Sequence, residues 1–140
     1  MYKHIAVPVD LAHADQLEKA LSTAAQLTRL WNSRLTLVAV TGPAPGVVAH
    51  NPAEFEAKAH EFCAEVSRRL GLNAHPDVVC SADPSADLEQ VLDREFHRLG
   101  VDLVVMASHV PGFKEYIFSS HAGWLAEHSD LSILVVRGDE

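Results

Sequence analysis

The residues best placed to do chemistry lie in one stretch near the end of the chain. Ser108 and His109 follow directly on the apolar run Leu103-Val104-Val105-Met106-Ala107, and Ser119, Ser120 and His121 close a small loop that holds Val110, Pro111, Gly112, Phe113 and Lys114. The apolar run, opened by Asp102, reads as a short strand buried on both faces. The segment Ala122 to His128 reads as a helix, and serine ahead of a helix satisfies an orphan backbone N–H. A strand, a loop and a helix N-terminus in succession present N–H donors and the positive end of a helix dipole to an anion. The stretch is therefore a candidate phosphate or nucleotide site. Ser119 and Ser120 also serve as plain helix caps, and the two roles are compatible. Lys114 is either a surface lysine or a phosphate partner.

These residues need a frame, and the rest of the chain supplies one. Ile5-Ala6-Val7-Pro8-Val9 reads as a first strand with Asp10 at its carboxyl end. Pro8 has no N–H to give to a ladder and belongs at the strand's end. Asp15 to Trp31 has an apolar stripe of Leu17, Leu21, Ala24, Leu27 and Leu30 at helical spacing. Asn32-Ser33 ends it, and Leu35 to Val40 is a second strand. Thr41 to Pro52 is irregular and rich in Gly and Pro, a loop long enough in so small a chain to suggest function. Asn51 and Pro52 then fit the N-cap and first turn of a helix to about Leu70, closed by Gly71. Asp77 to Cys80 is a weaker strand. Asp83-Pro84-Ser85 opens a third helix carrying Leu88, Val91, Leu92, Phe96 and Leu99, and Gly100 ends it. Ile133 to Val136 is the last strand.

Strands alternating with helices imply an α/β fold: one doubly wound parallel sheet of five strands with right-handed crossovers and helices on both faces, and the expected order is 3-2-1-4-5. Ligands in such sheets sit beyond the carboxyl ends of the strands, where the order reverses. That crevice lies between the first and fourth strands and sets Asp10 beside Ala107. Pro8 and Val9, with Val40 at the end of the second strand, then form an apolar wall. Each has a plainer role: Asp10 as a strand-end cap, the others as core ends.

At 140 residues, 1–140 reads as one domain with room for a real core. The net charge of −8 argues against a general nucleic-acid binder, but backbone amides can still hold a phosphate. Cys63 and Cys80 show no zinc spacing and read as two small buried hydrophobes. No apolar run reaches the ~18 residues of a membrane span and no signal-peptide pattern is present, so the expectation is a cytoplasmic protein without membrane insertion. A Walker A sequence, Gly-x4-Gly-Lys-Ser/Thr, is absent, and no general base stands out. The expected role is binding or regulation, not catalysis.

The chain resembles the universal stress protein family. Ile5-Ala6-Val7-Pro8-Val9-Asp10 is similar to that family's opening, Met106-Ala107-Ser108-His109 to its Met-Gly-Ser-His, and His128 to Arg137 to its final helix end and Val-Leu-Val-Val-Arg strand. The likeness covers nearly the whole chain. It is closest to the branch typified by universal stress protein F, with an Ala-Ser-His-x-Pro loop. ATP-binding members carry Gly-x2-Gly-x9-Gly followed by Ser or Thr. Here Ala107 and Val110 stand at the first two glycines, the loop is one residue shorter, Ser119 replaces the third glycine, and Ser120 matches. Val110 resists positive φ and Pro111 lacks an N–H, so the loop takes a different path.

The resemblance implies an ATP-binding stress or regulatory protein, with Asp10 on the nucleoside, His109 toward the phosphates, and the hydroxyls and amides of Ser119 and Ser120 on the β- and γ-phosphates. Any Mg²⁺ would be held mostly by phosphates and water. The resemblance also implies a homodimer or larger homo-oligomer through the final strand, Ser132 to Val136. The alternative is a non-nucleotide interaction module that regulates a partner, such as a solute transporter, through the Thr41 to Pro52 loop.

Overall fold

In the computed structural model of the protein, the residues described are 1–41, 50–81, 84–107 and 121–137. Five strands form one all-parallel sheet: β1 (His4–Val9), β2 (Arg34–Thr41), β3 (Ala74–Cys80), β4 (Leu103–Ala107) and β5 (Ser132–Val136), in the order β3-β2-β1-β4-β5. Four helices connect them: α1 (Glu18–Trp31), α2 (Pro52–Leu70), α3 (Pro84–Leu99) and α4 (His121–His128). A 3₁₀ helix, Leu11–Leu17, precedes α1. The α/β class and the expected strand order are both observed.

Right-handed crossovers put α1 and α2 on one face, where Arg29 of α1 donates to the Leu70 carbonyl at the end of α2. The other face carries α3 and α4, which touch each other. The central strands are buried on both faces: every residue from His4 to Val9 is buried, as is every residue of β4. Ile5, Val7, Leu35, Val104, Val105 and Met106 form the core's centre, sealed by Leu17, Leu21, Leu88, Leu92, Phe96 and Leu125. Burial of such side chains, at roughly 1.5–3 kcal/mol each, is what holds helices too short to persist alone.

The helix ends follow their local chemistry. Asn51 caps α2 by accepting from the Glu54 amide at 2.8 Å, with Pro52 behind it. Gly71 closes α2 at φ 68° and Asn32 closes α1 at φ 52°, both left-handed.

Four expectations need correction. The first helix divides: 11–17 is 3₁₀, and the α-helix begins at Glu18, because the Asp10 carboxylate captures the first turn. Leu30 is 69% exposed and lies off the buried stripe. β3 begins at Ala74, not Asp77; His75 and Pro76 hid its start, and proline is tolerated because β3 is an edge strand. Cys63 is buried as expected, but Cys80 is exposed at the end of that edge.

Candidate functional site

The site is created where the ladder between β1 and β4 ends. Those strands pair through Ile5↔Leu103 and Ala6↔Val104, whereas β1 pairs with β2 as far as Val9↔Ala39. Both β1 and β4 continue past their last shared pair, to Val9 and Ala107. The same register carries Ala107 to the level of Val9, so a crevice opens between the two carboxyl ends at the point where strand order reverses. Pro8 falls within the unpaired part, which fits a residue with no N–H to give.

Asp10 stands at the head of this crevice and is 7% exposed. Its Oδ1 accepts from the Ala12 amide at 3.1 Å, and its Oδ2 lies 2.8 Å from His13 Nδ1. The plainer role expected of Asp10, a strand-end cap, is thus observed. An ionised carboxylate has about four acceptor positions, so two contacts leave capacity for a ligand hydroxyl or amine. His13 was missed by sequence reasoning. Its signal is the i, i+3 spacing from an acid at a strand's carboxyl end. Backbone angles of φ −128° and ψ 38° break the 3₁₀ helix at His13 and turn the ring toward Asp10.

Strand parity divides the apolar residues. Pro8 pairs with Val38 and Val38 with Asp77, a row on the face toward α3. Val40 shares that face, and Val9 points to the opposite one. Pro8 and Val9 are buried and Val40 is half-buried. Met106 is fully buried and Ala107 is 7% exposed, at the end of β4. His121 is the first residue of α4, so a helix N-terminus does follow β4 at the carboxyl side of the sheet. Ser108, His109, Val110, Gly112, Phe113, Ser119 and Ser120 lie outside the described residues, as does most of the Thr41 to Pro52 loop.

Beside the 3₁₀ helix, a groove of about 500 Å³ separates Leu11 and Ala12 from Phe62 of α2, with Lys58, Glu61 and Glu65 at its rim. At the end of β3, the buried Ser81 hydroxyl donates to the Asp87 carboxylate and ties the strand to the first turns of α3. Among the described residues no cluster of His, Cys, Asp and Glu has a metal-binding arrangement. No described helix is long and apolar enough to cross a membrane.

Relatives share this architecture. The chain is 27% identical over 145 residues to universal stress protein A of Escherichia coli K12, covering 99% of this chain and 98% of that one. Among solved structures, a universal stress protein in complex with cAMP superposes with a TM-score of 0.70 at 16% identity, covering 99% of both chains. The universal stress protein of Archaeoglobus fulgidus in complex with dAMP gives a TM-score of 0.66 at 17% identity, covering 96% of this chain and 97% of that one. The family match itself runs over residues 1–137 and takes in every strand of the sheet, and on that ground the chain belongs to the universal stress protein family.

Proposed function

We propose that the protein binds an adenine nucleotide, ATP by preference, in the crevice between β1 and β4, and that it acts as a binding and regulatory protein, not as an enzyme. The observation that carries this reading is the early end of the β1–β4 ladder, which leaves Asp10 and Ala107 facing one opening beyond the sheet. The nucleotides held by two structural neighbours, cAMP and dAMP, support the same ligand class. In this reading Asp10 holds the nucleoside. Pro8, Val9, Val40, Met106 and Ala107 supply its apolar surroundings. The segment Ser108 to His121, read as the loop of the F-type branch, receives the phosphates with any accompanying Mg²⁺. Glu61 and Glu65 beside the 3₁₀ helix repel phosphates and favour their placement on the α4 side.

Self-association belongs to the same proposal. The two edges of the sheet differ. β3 carries Pro76 and the inward-turned Asp77, both of which oppose pairing with another strand. β5 has neither, and Leu134 and Val135 are 36% and 41% exposed. We read β5 as the edge that meets a second copy, with nucleotide occupancy acting on that assembly or on a regulated partner such as a transporter.

The test is the nucleotide content of freshly purified protein, followed by calorimetric titration with ATP. Co-purifying ATP, or binding heat that falls in Asp10→Ala and Ser120→Trp, supports the crevice. Absence of nucleotide and of binding heat at several temperatures removes the ligand and leaves the partner-binding module as the reading.

A further inference from the structure

Beside its buried stripe of Phe55, Ala59, Cys63 and Val66, helix α2 carries a second stripe at positions 58, 61, 62 and 65. Spacings of three and four residues place Phe62 among Lys58, Glu61 and Glu65 on one face of the helix. The three charged residues are exposed, and Phe62 is half-buried. All four line the groove of about 500 Å³ beside the 3₁₀ helix, together with Leu11, Ala12 and Ala14.

The groove exists because α1 and α2 are tied together elsewhere. Arg29 donates to the Leu70 carbonyl, and Arg69 pairs with Glu18 at the start of α1. Before Glu18 the chain is 3₁₀, and it brings two alanines, not bulky side chains, to the groove that Phe62 lines. A half-exposed aromatic ringed by charges, with small apolar residues on the other wall, has the layout of an interface anchor and its polar rim. A solvated helix face needs no such aromatic. The rim also has a definite order: a base, then two acids one turn apart, about 6 Å along the helix. Neither Glu61 nor Glu65 has an ion pair among the described residues.

We propose that this groove docks an amphipathic helix of a protein partner, with apolar anchors against Phe62 and Leu11 and two basic residues, one turn apart, facing Glu61 and Glu65. A helix suits the site because the rim charges repeat at helical spacing, and a helix laid in a groove presents its side chains at that same spacing. The volume is on the scale of small-molecule pockets, enough for a few anchor side chains. Burial of those anchors supplies the affinity, and the rim supplies the selectivity. Two acids against one lysine favour a basic segment over an acidic one. Ala12 also donates its amide to the Asp10 carboxylate at 3.1 Å, so the groove adjoins the Asp10 crevice through a single turn of chain. The inference names a partner class for the regulatory role proposed above and rests on that role.

The experiment titrates the intact ¹⁵N-labelled protein with a synthetic alanine-based helical peptide that carries leucines along one stripe and lysines one turn apart beside it. A twin peptide has glutamates in place of the lysines. The expected result is saturable movement of the Ala12, Ala14 and Phe62 amide signals by the lysine peptide, with the glutamate twin bound about fivefold more weakly. Glu61→Lys combined with Glu65→Lys should reverse that preference. Both acids are exposed and unpaired, so the double variant keeps the fold, which circular dichroism checks. The proposal is overturned if neither peptide moves these signals, if both bind equally, or if the preference survives the charge reversal. It is also overturned if raising the protein concentration alone moves the same signals, which assigns the groove to a second copy of the chain. ATP calorimetry reads the crevice separately: peptide binding without ATP heat keeps the docking site and removes the nucleotide, and ATP heat without peptide binding does the reverse.

Discussion

Asp77 of β3 and Glu95 of α3 set their carboxyl groups against each other beneath a single guanidinium. Arg98 Nη2 lies 3.3 Å from Asp77 Oδ1, Arg98 Nε lies 2.9 Å from Glu95 Oε1, and Nη2 also donates to Glu95 Oε2. One arginine serves two acids that are nearly buried, and Asp77 Oδ2 has no hydrogen-bond partner among the described residues. Glu95 takes the bidentate contact and is held below the ordinary glutamate range. Asp77 is pushed up to about 7, first by burial and then by the adjoining Glu95.

The sign of the resulting pH dependence follows. Asp77 binds its proton more tightly in the folded protein, so its contribution is full below its unfolded value of 3.8 and is lost as pH rises toward about 7. Glu95 acts oppositely: its contribution is present above 4.5 and lost as pH falls. The pair favours mildly acid pH over pH 8. Asp77→Asn should flatten the profile of urea midpoints from pH 5 to 8 and gain roughly 2 kcal/mol over the parent at the alkaline end. Parallel profiles for the two proteins would contradict this.

His4 is a buried neutral histidine by the same logic. Its Nδ1–H donates to the Leu99 carbonyl at 3.1 Å, so Nε2 accepts from the Thr36 hydroxyl at 2.7 Å. Burial, the largest influence, lowers its pKa below 6.5. The stability it supplies is present above pH 6.5 and is lost as pH falls through the lowered value. Thr36→Val leaves a buried acceptor unmet and should cost about 1–3 kcal/mol at pH 7.5, read from chemical denaturation.

Asp10 has two separable duties. Asp10→Ala removes the cap on the Ala12 amide and should lower stability by about 1 kcal/mol. Asp10→Asn keeps an acceptor for that amide but loses the charge facing His13 and the crevice. Its melting should stay close to the parent, while calorimetric ATP affinity falls about fivefold or more. Equal ATP affinity in the Asn variant would confine Asp10 to capping.

The exposed apolar pair on β5 predicts assembly through that edge. Val135→Pro should give a monomer by light scattering, and Leu134→Glu, which leaves the backbone donors in place, should weaken the assembly in the same direction. An unchanged oligomer in both variants would move the interface elsewhere.

Gly71 predicts a purely conformational effect. At φ 68° its nearest neighbour to an added Cβ is Arg29 Nη2, at 3.9 Å. Gly71→Ala should cost about 1 kcal/mol of stability by thermal melting, without a change in ligand binding.

The alternation of strands and helices was legible because short continuous apolar runs and stripes of period 3.6 leave separate marks on a sequence, and Asn51, Pro52, Gly71 and Gly100 punctuated it locally. Alternation and crossover handedness point to a doubly wound parallel sheet, and the order 3-2-1-4-5 within that class is the one the family resemblance implies. Asp10 and Ala107 could be placed at the switch point on topology alone. What the sequence did not reveal depends on contacts far apart along the chain. Asp77, Glu95 and Arg98 look like separate surface charges until β3 and α3 pack. The start of β3 was hidden by Pro76, which propensity assigns to loops and which an edge strand tolerates. Local chemistry determined the elements; the tertiary structure decided which charges share a site, because a charge acquires its partners and its desolvation only when distant segments close around it.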